Sequence, residues 1–430
     1  MTAEIAILNK SAVALATDSA VTISSGHSNT KVFDSADKLF ELSCSQPIGV
    51  MIYNGMQFAG IPLPDLIKEF RAGIGSKEFK TVEEAAISLL TFLSELGKCS
   101  PAEVTARTVL PIAIPIIKVF DQKIEDAVRR KLSESEEFPN DLDTFIKDVT
   151  ERLLKVFENL AARSSDAIFL DAIQALNLTE LESDLIDATM REVLPGIDQS
   201  TFDRLGAAVK RYVISGDLSN SKTGIVVAGF GRDERFPTLV SYEIEGIVAG
   251  HLKYKPTDKC DIDRRGKRAF IKPFAQKDMV DRFLYGLDDA IQSDLIRFCR
   301  ESVSTISSEI LNCLDIDDAT ALEDLKSRIS IAESNFVKSL KDIGFATIEG
   351  KSRKAIEDMI EFMPKPELAK MAEALVELTS MKRKVSAGME TVGGPVDVAV
   401  ISKSEGFVWI RRKHYFSPDV NSRYLVRART

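Results

Sequence analysis

The chain opens on two short apolar runs, Ala3-Glu4-Ile5-Ala6-Ile7-Leu8 and Ala12-Val13-Ala14-Leu15-Ala16, parted by the polar break Asn9-Lys10. Runs of this length separated by turn-forming residues predict a β-hairpin that starts at Thr2. An initiator methionine is removed by aminopeptidases when the next residue is as small as threonine. Loss of Met1 would leave Thr2 with a hydroxyl and a free α-amine on one residue. Such an amine titrates near ~7.7–8.0, so it can act as the base for the hydroxyl beside it. The plainer reading of Thr2 is that it is merely the second residue.

The residues that follow decide how much weight Thr2 carries. Asp18 ends the second run in Ala16-Thr17-Asp18-Ser19, and Lys38 begins the strand-like stretch Lys38-Leu39-Phe40-Glu41-Leu42. A third apolar run, Ile48-Gly49-Val50-Met51-Ile52-Tyr53, breaks at Asn54-Gly55 and leads into a helical pattern over 56–71. A second helix opens at Thr81, where Thr81 and Glu84 have the spacing of a capping box. Taken singly, Asp18 also reads as a turn acid, Lys38 as a lysine at a strand edge and Gly55 as a turn glycine.

Together, and in this order, these residues resemble the proteasome β-subunit family and its bacterial relatives, the threonine branch of the N-terminal nucleophile hydrolases. The resemblance implies an α+β fold, a four-layer αββα sandwich, here with helical insertions. It implies Thr2 as nucleophile and Lys38 beside it, lowering the hydroxyl pKa and disfavouring a protonated amine. Asp18 would hold Lys38 charged and oriented. The N–H of Gly55, at a helix N-terminus, would meet the oxyanion. Ser19, Gln276, Glu390, Thr391 and Gly393 fall where the family braces the amine. The family's bracing serine is replaced here by Pro273-Phe274-Ala275-Gln276, and its aspartate and serine by Glu390 and Thr391 in Gly388-Met389-Glu390-Thr391-Val392-Gly393-Gly394.

The resemblance divides the chain. Residues 2–98 are expected to form the first half of the core and 99–221 a helical insertion, with amphipathic segments at 143–162, 166–176 and 181–193. Residues 222–289 return to the core, 290–350 form a helical elaboration, and 351–415 supply the closing helix and last hairpin ahead of a tail, 416–430. The closing helix is expected to break at Pro364 and Pro366. Tyr53, Met56 and Phe58 are candidates for an apolar substrate pocket, or equally for the core.

Composition excludes several alternatives. A formal charge of −9 gives no general basic footprint for nucleic acid. Five cysteines without a Cys-x-x-Cys pair, and three scattered histidines, argue against a disulfide framework, a metal site or a Ser-His-Asp triad. The apolar runs 109–117 and 225–230 are too short to cross a bilayer, and the first strand does not read as a signal peptide. The expectation is a cytoplasmic threonine protease without cofactor, acting on peptide or protein substrates and self-associating as a homo-oligomer. An ATP-dependent unfoldase partner enters by analogy with the family alone. Two other readings stay open: a catalytically inactive scaffold of the same fold, and an amidase for a small non-peptide substrate.

Overall fold

A computed structural model describes the chain apart from residues 1, 26–28, 134–141, 164–167, 172–175, 315–318, 386–391, 415, 418–419 and 422–430, and the side chains of 22–31 and 319. The opening hairpin is β1 (Ala3–Asn9) with β2 (Val13–Thr17), followed by a second hairpin of β3 (Val21–Ser25) with β4 (Asn29–Phe33). Then come β5 (Leu39–Glu41), β6 (Ile48–Asn54), the two-residue strands β7 (Gln57–Phe58) and β8 (Ile61–Pro62), and helices α1 (Leu63–Ile74) and α2 (Val82–Cys99).

Next lie α3 (Ala102–Ala106), a 3-10 turn at Arg107–Val109, α4 (Leu110–Ser133), α5 (Leu142–Arg163), the short β9 (Ile168–Phe169), α6 (Glu180–Val193) and α7 (Gln199–Val213). Strands β10 (Thr223–Gly229), β11 (Thr238–Val248), β12 (His251–Asp261) and β13 (Ala269–Ala275) follow. Helices α8 (Asp278–Tyr285), α9 (Asp289–Cys313), α10 (Ala319–Ser339), α11 (Ala346–Glu361) and α12 (Lys365–Val385) lead to the last hairpin, β14 (Asp397–Ser402) and β15 (Gly406–Arg411). The protein is thus mixed α/β, and every strand pair among the described residues is antiparallel.

The chain divides into two compact units, residues 1–37 with 262–430, and residues 38–261. The first unit holds a five-stranded sheet in the order β13-β1-β2-β14-β15. Small residues on one face, Ala3, Ala14 and Ala16, let α8, α11 and α12 approach closely through Leu284, Ile360 and Leu375. Glu4, Ala6 and Leu8 on the opposite face of β1 are equally buried. A strand buried on both faces loses the alternation of polar and apolar residues, which is why β1 reads as a nearly continuous apolar run. The break between α11 and α12 falls at Pro364, where a proline can begin a helix but not continue one.

The second unit holds a six-stranded sheet in the order β5-β6-β10-β11-β12-β9. Helices α1 and α2 pack on it through Leu66, Phe70, Leu89 and Leu93, which meet Ile52, Ile225 and Tyr242 of the strands. Each fully buried side chain of this size contributes about 1.5–3 kcal/mol of transfer free energy. A further core joins α4–α7 through Ile117, Phe120, Leu154, Ile186, Leu205 and Val209.

Two expectations need correction. The helix expected over 56–71 starts only at Leu63, after the β7–β8 hairpin. Pro62 and Pro64 lack the N–H of an interior helical residue, while Ala59 (φ 48°) and Gly60 (φ 78°) make a tight turn ahead of them. The helix expected over 166–176 is absent from its described part, where β9 pairs with Lys253 and Tyr254. Strand β12 has no counterpart among the expectations: it carries no clear apolar alternation and contains Pro256. The sheet takes this proline at a bulge, where the register skips Thr257 and the Ser241 hydroxyl meets the Thr257 hydroxyl at 2.6 Å.

Candidate functional site

Thr2 lies at the head of β1, buried, and its Oγ1 has no hydrogen-bond partner among the described residues. The same is true of Thr17 Oγ1 at the end of β2 and of Ser94 Oγ on α2. A buried hydroxyl that makes no bond is costly and calls for a reason. Thr2 differs from the other two in what surrounds its backbone.

Its carbonyl accepts from the N–H of Gln276 at 3.1 Å. That donor is aimed by Ala275, the last residue of β13, which pairs with Ala3 and adopts φ 61°. A left-handed alanine is uncommon, and here it turns the chain so that the next N–H points back at Thr2. The Gln276 side chain turns elsewhere, with its Oε1 accepting from Arg383 Nε of α12 at 2.5 Å. Gln276 therefore serves Thr2 with its main chain, an arrangement that no side-chain pattern in the sequence announces.

Asp18 is fully buried just after β2. Its Oδ1 accepts from the N–H of Ala3 at 3.2 Å and its Oδ2 from that of Gly393 at 3.1 Å, while its own N–H donates to Ala3 O at 3.1 Å. Ser19 continues the tie: its N–H donates to Gly393 O at 3.1 Å and its hydroxyl to Pro395 O. Gly393 thus offers both main-chain groups to the end of β2. Gly394 beside it has φ 74°, and a Cβ there would stand 2.7 Å from Asp34 Cβ, so glycine is required. Glu390 and Thr391 lie outside the described residues.

The first unit therefore brings together Thr2, Asp18, Ser19, Gln276 and Gly393. It also places a buried acid that sequence reasoning did not single out. Asp397 pairs in register with Thr17, and its carboxylate accepts from Lys413 N at 2.8 Å and from Lys413 Nζ. Asp37 lies 3.6 Å from the same ammonium. The signal available in sequence was an aspartate interrupting the apolar run Val396–Val400.

Lys38 and Gly55 belong to the second unit. Lys38 directly precedes β5, its carbonyl accepts from Ile52 N at 2.9 Å, and its side chain is fully buried. Lysine is rarely so placed unless its charge is met. Gly55 follows Asn54, the left-handed last residue of β6 (φ 63°). A Cβ on Gly55 would come within 2.1 Å of Thr223 Oγ1, so no larger residue fits without movement. No helix begins here, contrary to expectation, so Gly55 has no helix dipole behind it. Tyr53 and Phe58 are buried in the core of this unit, and Tyr53 lies over Gly224, where a Cβ would meet its ring at 1.9 Å.

Among the described residues no group of three or more His, Cys, Asp or Glu side chains is placed to hold a metal ion, and no helix is long and apolar enough to cross a membrane. No model of a known protein family matches the chain, and no curated protein matches it either.

Proposed function

We propose that the protein is an N-terminal threonine hydrolase that cleaves amide bonds, most simply those of peptides, with the αββα sandwich of the proteasome-like hydrolases as its fold. The observation that carries the reading is the buried Thr2 hydroxyl without a partner, on a residue whose neighbours are fixed by Asp18, Gln276 and Gly393. Two antiparallel sheets, each with its own helices on one face, support the fold assignment.

The reading requires that Met1 be removed. Thr2 Oγ then attacks the substrate carbonyl carbon while the α-amine of Thr2 takes the hydroxyl proton. Hydroxyl and base sit on one residue, so little entropy is lost in aligning them. The resemblance gives the oxyanion to a main-chain N–H, an interaction whose loss costs about 2.7–4 kcal/mol in other enzymes. Collapse of the tetrahedral species expels the leaving amine, which receives the proton from the Thr2 amine, and an ester remains on Thr2. Water hydrolyses that ester and restores the hydroxyl. The resemblance adds a lysine whose positive charge favours a neutral amine and an ionised oxygen.

The test combines N-terminal mass measurement with Thr2→Ala and Thr2→Ser variants assayed on a peptide mixture. Loss of Met1, loss of cleavage in Thr2→Ala and partial retention in Thr2→Ser are expected. Retained Met1 in an active preparation, or undiminished cleavage by Thr2→Ala, rejects the mechanism.

A further inference from the structure

The second unit contains a cleft of about 340 Å³ between the β7–β8 turn, the 3-10 turn at Arg107–Val109 and strand β11. Its walls are apolar at Phe58, Pro111, Ile244 and Ile247 and polar at Thr108, Thr223 and Arg107. The cleft is built by unusual backbone. Ala59 and Gly60 on one wall both have positive φ, and on another β11 bulges at Glu245, where the register with β12 jumps from Ile244 to Gly246. Gly246 has φ 132°, and a Cβ there would stand 2.9 Å from Thr108 Cγ2, so the glycine is what lets the 3-10 turn close against the strand. Strained backbone of this kind gathers where a surface is shaped for a ligand.

Two charged groups line the cleft, and they are not equivalent. Both oxygens of Glu245 are engaged, accepting from Ser219 N at 2.7 Å and from Ser219 Oγ at 2.5 Å. The buried ammonium of Lys253 further offsets its charge. Arg107 is exposed on the rim, and its side chain makes no ion pair or hydrogen bond among the described residues. The uncompensated charge of the cleft is therefore positive, and a guanidinium is shaped to take a carboxylate in two parallel bonds.

The cleft also adjoins Gly55. Thr223 Oγ1 and Ser221 O, at 2.1 and 3.4 Å from the position of a Gly55 Cβ, both belong to lining residues. We infer that this cleft is a substrate subsite that seats a carboxylate, with Arg107 as the residue that selects for it. The inference rests on the proposed hydrolase only in making the ligand a substrate. The carboxylate can come from an Asp or Glu side chain or from a free peptide C-terminus.

The experiment has a cleavage arm and a binding arm, both with the full chain. In the first, a mixed peptide library is digested by wild type, Arg107→Gln and Arg107→Glu, and the cut sites are read by mass spectrometry. Wild type is expected to favour an acidic residue, or a free terminus, at one fixed distance from the cut by about tenfold or more, the scale of a hydrogen-bonded charge. Arg107→Gln flattens that preference and Arg107→Glu turns it towards Lys and Arg. An identical profile in all three overturns the inference.

In the second arm, fluorescein-labelled peptides differing only in Glu, Gln or Lys, with amidated or free C-termini, are titrated against Thr2→Ala and Thr2→Ala/Arg107→Glu by anisotropy. Tighter binding of the carboxylate-bearing peptide that vanishes with Arg107→Glu supports the subsite even if Thr2 proves not to be the nucleophile. Equal binding of all peptides to both variants overturns it even if Thr2 is confirmed as one.

Discussion

The N–H of Gly393 donates to Asp18 Oδ2 at 3.1 Å, joining two residues 375 positions apart in sequence. Through the other oxygen the same carboxylate holds the N–H of Ala3, so one buried acid fastens the start of β1 to the approach to β14. Asp18 is therefore a framework residue for Thr2.

Asp18→Ala is expected to destabilise the protein by about 3 kcal/mol, because it strands two buried N–H donors that had a charged acceptor. Asp18→Asn keeps one acceptor oxygen and should cost roughly half as much. Urea denaturation monitored by circular dichroism checks both. A midpoint for Asp18→Ala within error of wild type would refute the bridging role.

Gly55→Ala places a methyl where Thr223 Oγ1 now stands. A loss of about 1–3 kcal/mol is expected from overpacking. Thr223→Ala removes the conflicting oxygen, so the double variant should recover part of that loss. The coupling between the two sites, measured as a double-mutant cycle, should exceed ~0.5 kcal/mol. Strict additivity would show that the two residues do not meet.

Lys253 is buried on β12, and its ammonium donates to Val213 O and Asp217 O at 2.7 Å each. Desolvation nevertheless brings its pKa down to about 8. Below pH 8 both folded and unfolded chains carry this charge, and the folded state bears the cost of burying it. From about pH 8 to the unfolded value near ~10.4 the unfolded chain binds more protons, so stability contributed by this group rises with pH, by up to ~3 kcal/mol. Lys253→Met abolishes that slope. Denaturation of both proteins between pH 7.5 and 10.5 should therefore show a gap that moves in favour of wild type as pH rises, and parallel curves would contradict it.

Thr81 caps α2, its Oγ1 accepting from Glu84 N at 3.1 Å. The reciprocal bond is not made to Thr81, since the Glu84 carboxylate accepts from Lys80 N at 2.7 Å. Thr81→Ala should cost about 1 kcal/mol. Glu84→Gln, which keeps an acceptor, should cost less, and thermal melts of the two variants give the order.

Local chemistry by itself determined the parts whose causes lie within a few residues. Asn9-Lys10 between two apolar runs fixes the first hairpin, Thr81 with the apolar face that follows fixes α2, and Pro364 and Pro366 fix the break before α12. The tie of Asp18 and Ser19 to Gly393 was not among the expectations, which paired Asp18 with Lys38 and set Ser19 and Gly393 around the Thr2 amine. Only tertiary structure decided the rest. Pairing of β13 with β1, and with it the aim of the Gln276 N–H at Thr2, depends on a strand some 270 positions away and on a left-handed Ala275 that carries no sequence mark. Strand β12 exists because β11 offers it a ladder and a bulge for Pro256, although its own residues are mostly polar. Propensity and periodicity report what a segment favours alone, whereas register, burial of a hydroxyl and the meeting of distant backbones are settled by whatever the segment packs against.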